Sequence, residues 1–167
     1  VLALQTIVSR ETSPFDQAVV TVGSIQAGTK NNIIPDTATL LLTVRTYKEE
    51  VRQRILASIT RMAKGVSLAA GLPANQPPTV EVYEYTKSLY NDPTLTERAV
   101  AVLQKTLGNA NVRKSDPVMA SEDFGYFGLD HQIPEFFLSL GAVSQQALDA
   151  SRASGIPLPS LHSSKFA

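Results

Sequence analysis

The chain contains no cysteine. Disulfides, thiolate metal sites and cysteine nucleophiles are excluded together, while the compartment stays open between cytoplasm and periplasm, since proteins of both can do without the residue. Net charge is missing too: 15 Lys and Arg balance 15 Asp and Glu. With no net field of either sign, neither nucleic acid nor an anionic membrane is expected as a primary partner. No apolar run approaches the ~20 residues of a membrane-spanning helix, and no stretch resembles a secretory leader. A glycine-rich phosphate loop, a nucleophile elbow and the paired-histidine helix of zinc proteases are all absent. So are internal repeats and low-complexity segments.

What is there is an ordinary globular composition, 43% apolar and 18% charged over 167 residues, enough for one domain or two small ones at roughly 150 residues each. Leu2, Leu4, Ile7 and Val8 have helical spacing with no cap before them, so the chain is expected to open inside an element and its N-terminus to be a cut. Ala18 to Ala27 is rich in β-branched residues and reads as a strand. After the loop Gly28 to Asp36, Ala38 to Thr46 reads as a second. Leu40, Leu42 and Val44 share one face there, and Thr39, Leu41, Thr43 and Arg45 the other. A hairpin follows. Thr46-Tyr47-Lys48-Glu49 has the capping-box pattern and opens a helix whose stripe is Val51, Ile55, Ile59, Met62 and Val66. Gly71-Leu72-Pro73 should end it. Thr79 to Tyr85 alternates as a strand.

The first ~87 residues, with boundaries good to two to four residues, thus read helix, strand, strand, helix, strand. This is an α+β arrangement that one further strand in front would complete to the split βαβ, ferredoxin-like order. In the second half, Asp92 and Pro93 cap a helix to Leu107, with Gly108 beyond. A short strand at Asn111–Arg113, a loop through Pro117 to Asp123, a short helix near Phe124, an apolar strand Phe136–Leu140 and a loop or short helix over 144–159 complete the reading. These elements are too few for a core of their own, so this half is expected to pack on something further.

Few residues carry chemistry. His131, in Leu129-Asp130-His131-Gln132, has no partner at ligand spacing and reads as an exposed residue. His162, taken alone, also reads as structural or surface, because a metal needs further ligands nearby. Ser121-Glu122-Asp123 is either a helix N-terminus, with Ser121 as cap and the acids against the dipole, or a pair of carboxylates available for a site. Arg45 either reaches solvent at its strand end or binds a carboxylate with both arms. Asn31-Asn32 suits a turn that tolerates left-handed geometry.

The ordered set goes further than any one motif. Val22-Gly23-Ser24-Ile25, Asn32-Ile33-Ile34-Pro35 and Val44-Arg45-Thr46 resemble the lid, or dimerisation, domain of the aminoacylase and carboxypeptidase metallohydrolases. Tyr90-Asn91-Asp92, Met119-Ala120-Ser121-Glu122-Asp123-Phe124, Leu138-Ser139-Leu140-Gly141 and Leu161-His162-Ser163 resemble the C-terminal part of their catalytic domain. The branch that hydrolyses N-acyl amino acids, hippurate and auxin conjugates is the nearest.

The resemblance implies a ferredoxin-like lid over 1–88, lacking its first strand, and an incomplete α/β metallopeptidase-like portion over 89–167. It implies a divalent metal, zinc or manganese first and two ions per site in the intact protein, with His162 as the last ligand. It also implies a homodimer through the lid. Asn32 would reach the partner's active site, Arg45 would hold the substrate or its free carboxylate, and Ser121, Glu122 and Asp123 would line the active-site wall. The general base and most ligands, together with a lid histidine, are expected upstream of Val1, so the 167 residues alone are expected to be inactive. A reading from another class is a non-catalytic dimerisation or ligand-binding module on the ferredoxin-like half.

Overall fold

The computed structural model describes residues 1–166. Strands β1 (Ala18–Ala27) and β2 (Ala38–Thr46) form a two-stranded antiparallel sheet, in register from Ala18 opposite Thr46 to Ala27 opposite Ala38. The predicted boundaries hold. One bulge interrupts the ladder at Gly23: Val22 opposes Leu42, while Ser24 opposes Leu41. An extra residue on one strand shifts its alternation. The face that Val20 and Val22 share with Val44 and Leu42 therefore passes to Ile25, opposite Leu40, and β2 keeps its three apolar residues on one side.

That side is covered by helix α1 (Leu2–Thr6), which runs on as a wider turn through Ile7–Glu11, and by α2 (Glu49–Ala69). Leu4, Ile7, Val20, Val51, Ile55 and Ile59 are the buried core, and Val22, Leu40, Leu42, Val44, Met62 and Val80 pack around it. Removing each such side chain from water contributes about 1.5–3 kcal/mol. The stripe of α2 is shorter than its periodicity promises. It stops at Met62, beside Thr6 Oγ1, and Val66 is 56% exposed. Spacing marks a helix face but not where the opposing surface ends.

The capping box does not form. The helix starts at Glu49 itself, with Lys48 as its N-cap, and Thr46 Oγ1 donates instead to the Lys48 carbonyl at 3.2 Å. At the first helical position the Glu49 carboxylate faces forward along the helix rather than back to Thr46. It accepts from Arg52 Nε at 2.8 Å and Nη2 at 2.6 Å, from Gln53 Nε2 at 2.7 Å and from the Tyr85 hydroxyl at 3.1 Å. The Arg52 guanidinium also lies over the Tyr85 ring, 4.1 Å from its centroid, so the start of α2 pins residue 85. The segment that ends there is not the predicted strand. Val80 packs on the core, yet no strand lies beside it among the described residues, and a strand exists only with a neighbour to share its hydrogen bonds.

Helix α3 (Pro93–Leu107) begins as expected: Asp92 Oδ1 accepts from Leu95 N at 2.7 Å, and Gly108 ends it at φ 85°. The predicted strands Asn111–Arg113 and Phe136–Leu140 are not formed. Asn109–Asn111 is a 3₁₀ turn, and near Phe136 there is only a single parallel bridge between Asn91 and Glu135. Contacts divide the chain into a unit Val1–Phe136 and a second unit from Phe137 onward. The second holds α4 (Gln145–Ser154), capped by Ser144 Oγ on Ala147 N at 3.2 Å and closed by Gly155 at φ 71°. Neither α3 nor α4 buries a side chain fully. Among the described residues no helix is long and apolar enough to cross a membrane.

Hydrogen bonds from Arg52, Gln53 and Tyr85 lower the Glu49 pKa from 4.5 to about 2. A depressed carboxylate stabilises the fold fully above its unfolded value and loses that contribution as pH falls through the folded one. Stability should therefore drop between pH 4.5 and about 2, and Glu49→Gln should flatten that part of the profile in urea titrations run across the range. An unchanged acid slope contradicts the role.

Candidate functional site

Antiparallel register decides where Arg45 stands. Val44 faces the core, so its neighbour projects from the opposite face of β2, across from Val19. Arg45 is half-buried there, and its Nη1 donates to the Met119 carbonyl at 2.6 Å. The strand end is thereby tied to the loop that carries Ser121, Glu122 and Asp123.

That loop is held from a second side by residues 85–88. Thr86 Oγ1 and Ser121 Oγ are 2.9 Å apart, the Tyr126 hydroxyl donates to the Tyr85 carbonyl, and Lys87 Nζ pairs with Asp130. The Asp130 carboxylate raises the Lys87 pKa, first through their hydrogen bond. Ser121 is therefore not the helix cap that its sequence context suggested. Glu122 takes the Phe124 N–H instead, and Asp123 opens the 3₁₀ turn Phe124–Tyr126, its carbonyl accepting from Tyr126 N at 3.1 Å. All three residues are exposed.

Two glycines make the close approach. Gly125 is buried, and a Cβ there would lie 3.1 Å from both the Lys87 and Ser88 carbonyl oxygens. At Gly128 it would lie 2.7 Å from Glu135 Oε2. Between them and Glu135 runs a turn in which Leu129, Asp130 and His131 are all left-handed, at φ 44°, 56° and 66°. Non-glycine residues seldom adopt this region, and never cheaply in a row. His131 is exposed as expected, and its ring meets that of Tyr90 edge-on at 5.4 Å.

Glu135 carries no mark in the sequence that sets it apart as a site residue. It is 5% exposed. Its Oε1 accepts from Tyr90 N at 3.2 Å and its carbonyl from Asp92 N at 2.9 Å. Oε2 is buried without a partner among the described residues. The one available signal is a charged residue set directly before an apolar run.

Asn32 stands exposed at the other end of the hairpin, in the loop between the strands. The left-handed position there is Gly28, at φ 69° with the Pro35 ring against it, and neither Asn31 nor Asn32 has positive φ. From Ala38 to Arg45 the strand spans about 23 Å at ~3.3 Å per residue, so Asn32 and Arg45 of this chain do not converge. In the unit from Phe137 onward, His162 is exposed in a turn at φ 66°. No group of three or more His, Asp or Glu able to hold a metal ion forms among the described residues.

Comparison with known proteins gives this geometry a setting. Residues 2–70 match the peptidase dimerisation domain. The chain is also similar to the N-acetyldiaminopimelate deacetylase of Bacillus subtilis (strain 168), 38% identical over 149 residues, covering 89% of this chain and 38% of that protein. A second relative, the N-acetyl-L-cysteine deacetylase of the same organism, is 36% identical over 143 residues, 84% of this chain and 32% of that protein. A crystal structure of a protein assigned as an aminohydrolase, from methicillin-resistant Staphylococcus aureus, aligns with TM-score 0.59 and 36% identity over 77% of this chain and 32% of that one. The chain thus spans about a third to two-fifths of the length of these relatives. The dimerisation-domain segment takes in α1, the hairpin and α2, which is also where the core lies.

Gly128→Ala should cost about 1–3 kcal/mol by overpacking against Glu135. In a urea-denaturation double-mutant cycle with Glu135→Ala, the combined loss should fall well short of the sum, because the second change removes the obstacle. Strict additivity would show that the two positions do not press on each other.

Proposed function

We propose that the protein to which this chain belongs hydrolyses the amide bond of N-acyl amino acids or similar small amides, as a homodimer associated through the dimerisation-domain segment. The similarity to deacetylases, which runs well beyond residue 70 into the second half of the chain, carries this reading. In it, residues 1–88 are a ferredoxin-like lid and residues 89–167 a portion of the catalytic domain.

The roles proposed for this chain are binding and orientation. Arg45 offers a guanidinium fork to the free carboxylate of the substrate, a match of geometry as well as charge. Asn32, at the far end of the hairpin, serves the partner's site and hydrogen-bonds the substrate carbonyl or the oxyanion that develops on it. Their separation along the hairpin supports assigning them to two different sites. Ser121, Glu122 and Asp123 form the wall beside Arg45.

The family resemblance also implies a divalent metal, zinc or manganese, that would activate water and polarise the carbonyl. The described residues do not fit that group by themselves. His162 is offered as one ligand, and no three candidate ligands converge among the described residues. The isolated 167-residue chain is accordingly expected to be inactive.

Asn32→Ala in the intact protein should lower turnover of N-acetyl amino acids by about 10²-fold or more, the size of losing one oxyanion donor, while sedimentation shows the dimer intact. Unchanged kinetics would remove Asn32 from the mechanism. A stable dimer with no hydrolysis of any N-acyl amino acid would leave the association module as the better reading.

A further inference from the structure

We propose that Arg45 is also a positioning residue: through the Met119 carbonyl it holds the Ser121–Asp123 wall against the hairpin, and a ligand carboxylate on the same guanidinium tightens that hold. The tightening by ligand rests on the function proposed above. The hold itself stands on geometry alone.

Arg45 Nη1 reaches Met119 O at 2.6 Å, short for an N–H···O contact and charge-assisted on the donor side. The bond crosses 74 positions of sequence, from the outer face of β2 to a loop with no regular secondary structure of its own. Such a loop takes its position from its attachments. Its attachments include this one and the contacts of residues 85–88: Thr86 on Ser121, Tyr126 on Tyr85, Lys87 on Asp130 and Gly125 beneath the Lys87 and Ser88 carbonyls. The contacts from 85–88 fall at 121 and beyond. Met119, ahead of the wall, is the point that Arg45 secures.

A guanidinium carries five N–H donors in one rigid plane, and the bond to Met119 occupies one donor on Nη1. The plane, once fixed, presents its remaining edge in a set direction. A carboxylate bound there would further restrict the guanidinium and so the carbonyl it holds, whereas a neutral carboxamide would not form the charge-assisted fork. Carboxylate capture and wall placement then become one event. Lysine separates the two roles, because an ammonium can still donate to Met119 O but has no fork.

The test is backbone hydrogen exchange of Phe124 and Tyr126, whose N–H groups are held by the wall at Glu122 Oε1 and the Asp123 carbonyl, in the intact protein, without ligand and with N-acetyl amino acid or its primary amide. Without ligand, Arg45→Ala should speed exchange of these two N–H groups about tenfold, the effect expected when a charged hydrogen bond is lost from a local opening equilibrium. Arg45→Lys should restore most of the protection while raising KM for the acid more than it lowers kcat. In the wild type, the acid should add protection and the amide should not. Unchanged exchange in ligand-free Arg45→Ala overturns the positioning role, and equal protection by acid and amide overturns the coupling. The ligand-free comparison needs no activity. If Arg45→Ala loosens the wall in a protein that hydrolyses no N-acyl amino acid, the positioning role is supported and only the functional reading falls.

Discussion

A two-stranded antiparallel hairpin has two faces and two ends, and the rest of this molecule follows from how they are used. One face carries Leu40, Leu42 and Val44 onto α1 and α2, which is where the buried core lies. Alternation then leaves Arg45 no choice but the opposite face. A bulge at Gly23 keeps this assignment intact along β2 while β1 changes parity. Had the register slipped by one residue, the guanidinium would enter the core and the three apolar side chains would leave it.

The two ends matter as much as the faces. The strand that brings Arg45 to the Met119 carbonyl carries Asn32 away from it by most of the sheet's length. A polar residue and a cation on one hairpin are thereby kept apart within one chain. Beyond the hairpin, residues 85–88 hold 121–130 by close backbone approach at Gly125, by one ion pair and by two hydroxyl contacts. The turn that continues from there is left-handed at three successive residues and closes over the buried Glu135.

Legibility from sequence tracked how local the cause was. The hairpin boundaries, the Asp92-Pro93 helix start and the Val51, Ile55, Ile59 stripe were readable, because each depends on the residues themselves and their spacing. The strands expected at Thr79–Tyr85 and Phe136–Leu140 were not formed, since alternation describes a segment's faces and not whether a neighbour exists. Glu49 had the right spacing for a capping box but the helix began beneath it, and Arg52 and Tyr85 claimed its carboxylate. Glu135, Gly125 and Gly128 were missed because their importance comes from backbone more than a few residues away. Of the candidate site, Arg45 gained a partner in Met119, Ser121 proved to bind Thr86 rather than cap a helix, and His162 stands exposed in a separate unit.

The central claim is that one hairpin serves two sites, Arg45 its own protomer's and Asn32 its partner's. Mixing subunits tests it most directly. Arg45→Ala and Asn32→Ala versions of the intact protein, each nearly inactive, are combined, allowed to exchange subunits and assayed on an N-acetyl amino acid. If the two residues act in sites shared across the dimer, half of a random mixture is heterodimer with one complete site each, and activity should recover to about a quarter of wild type. If both residues act within one protomer, every site in the mixture keeps a lesion and no activity returns, which would contradict the account.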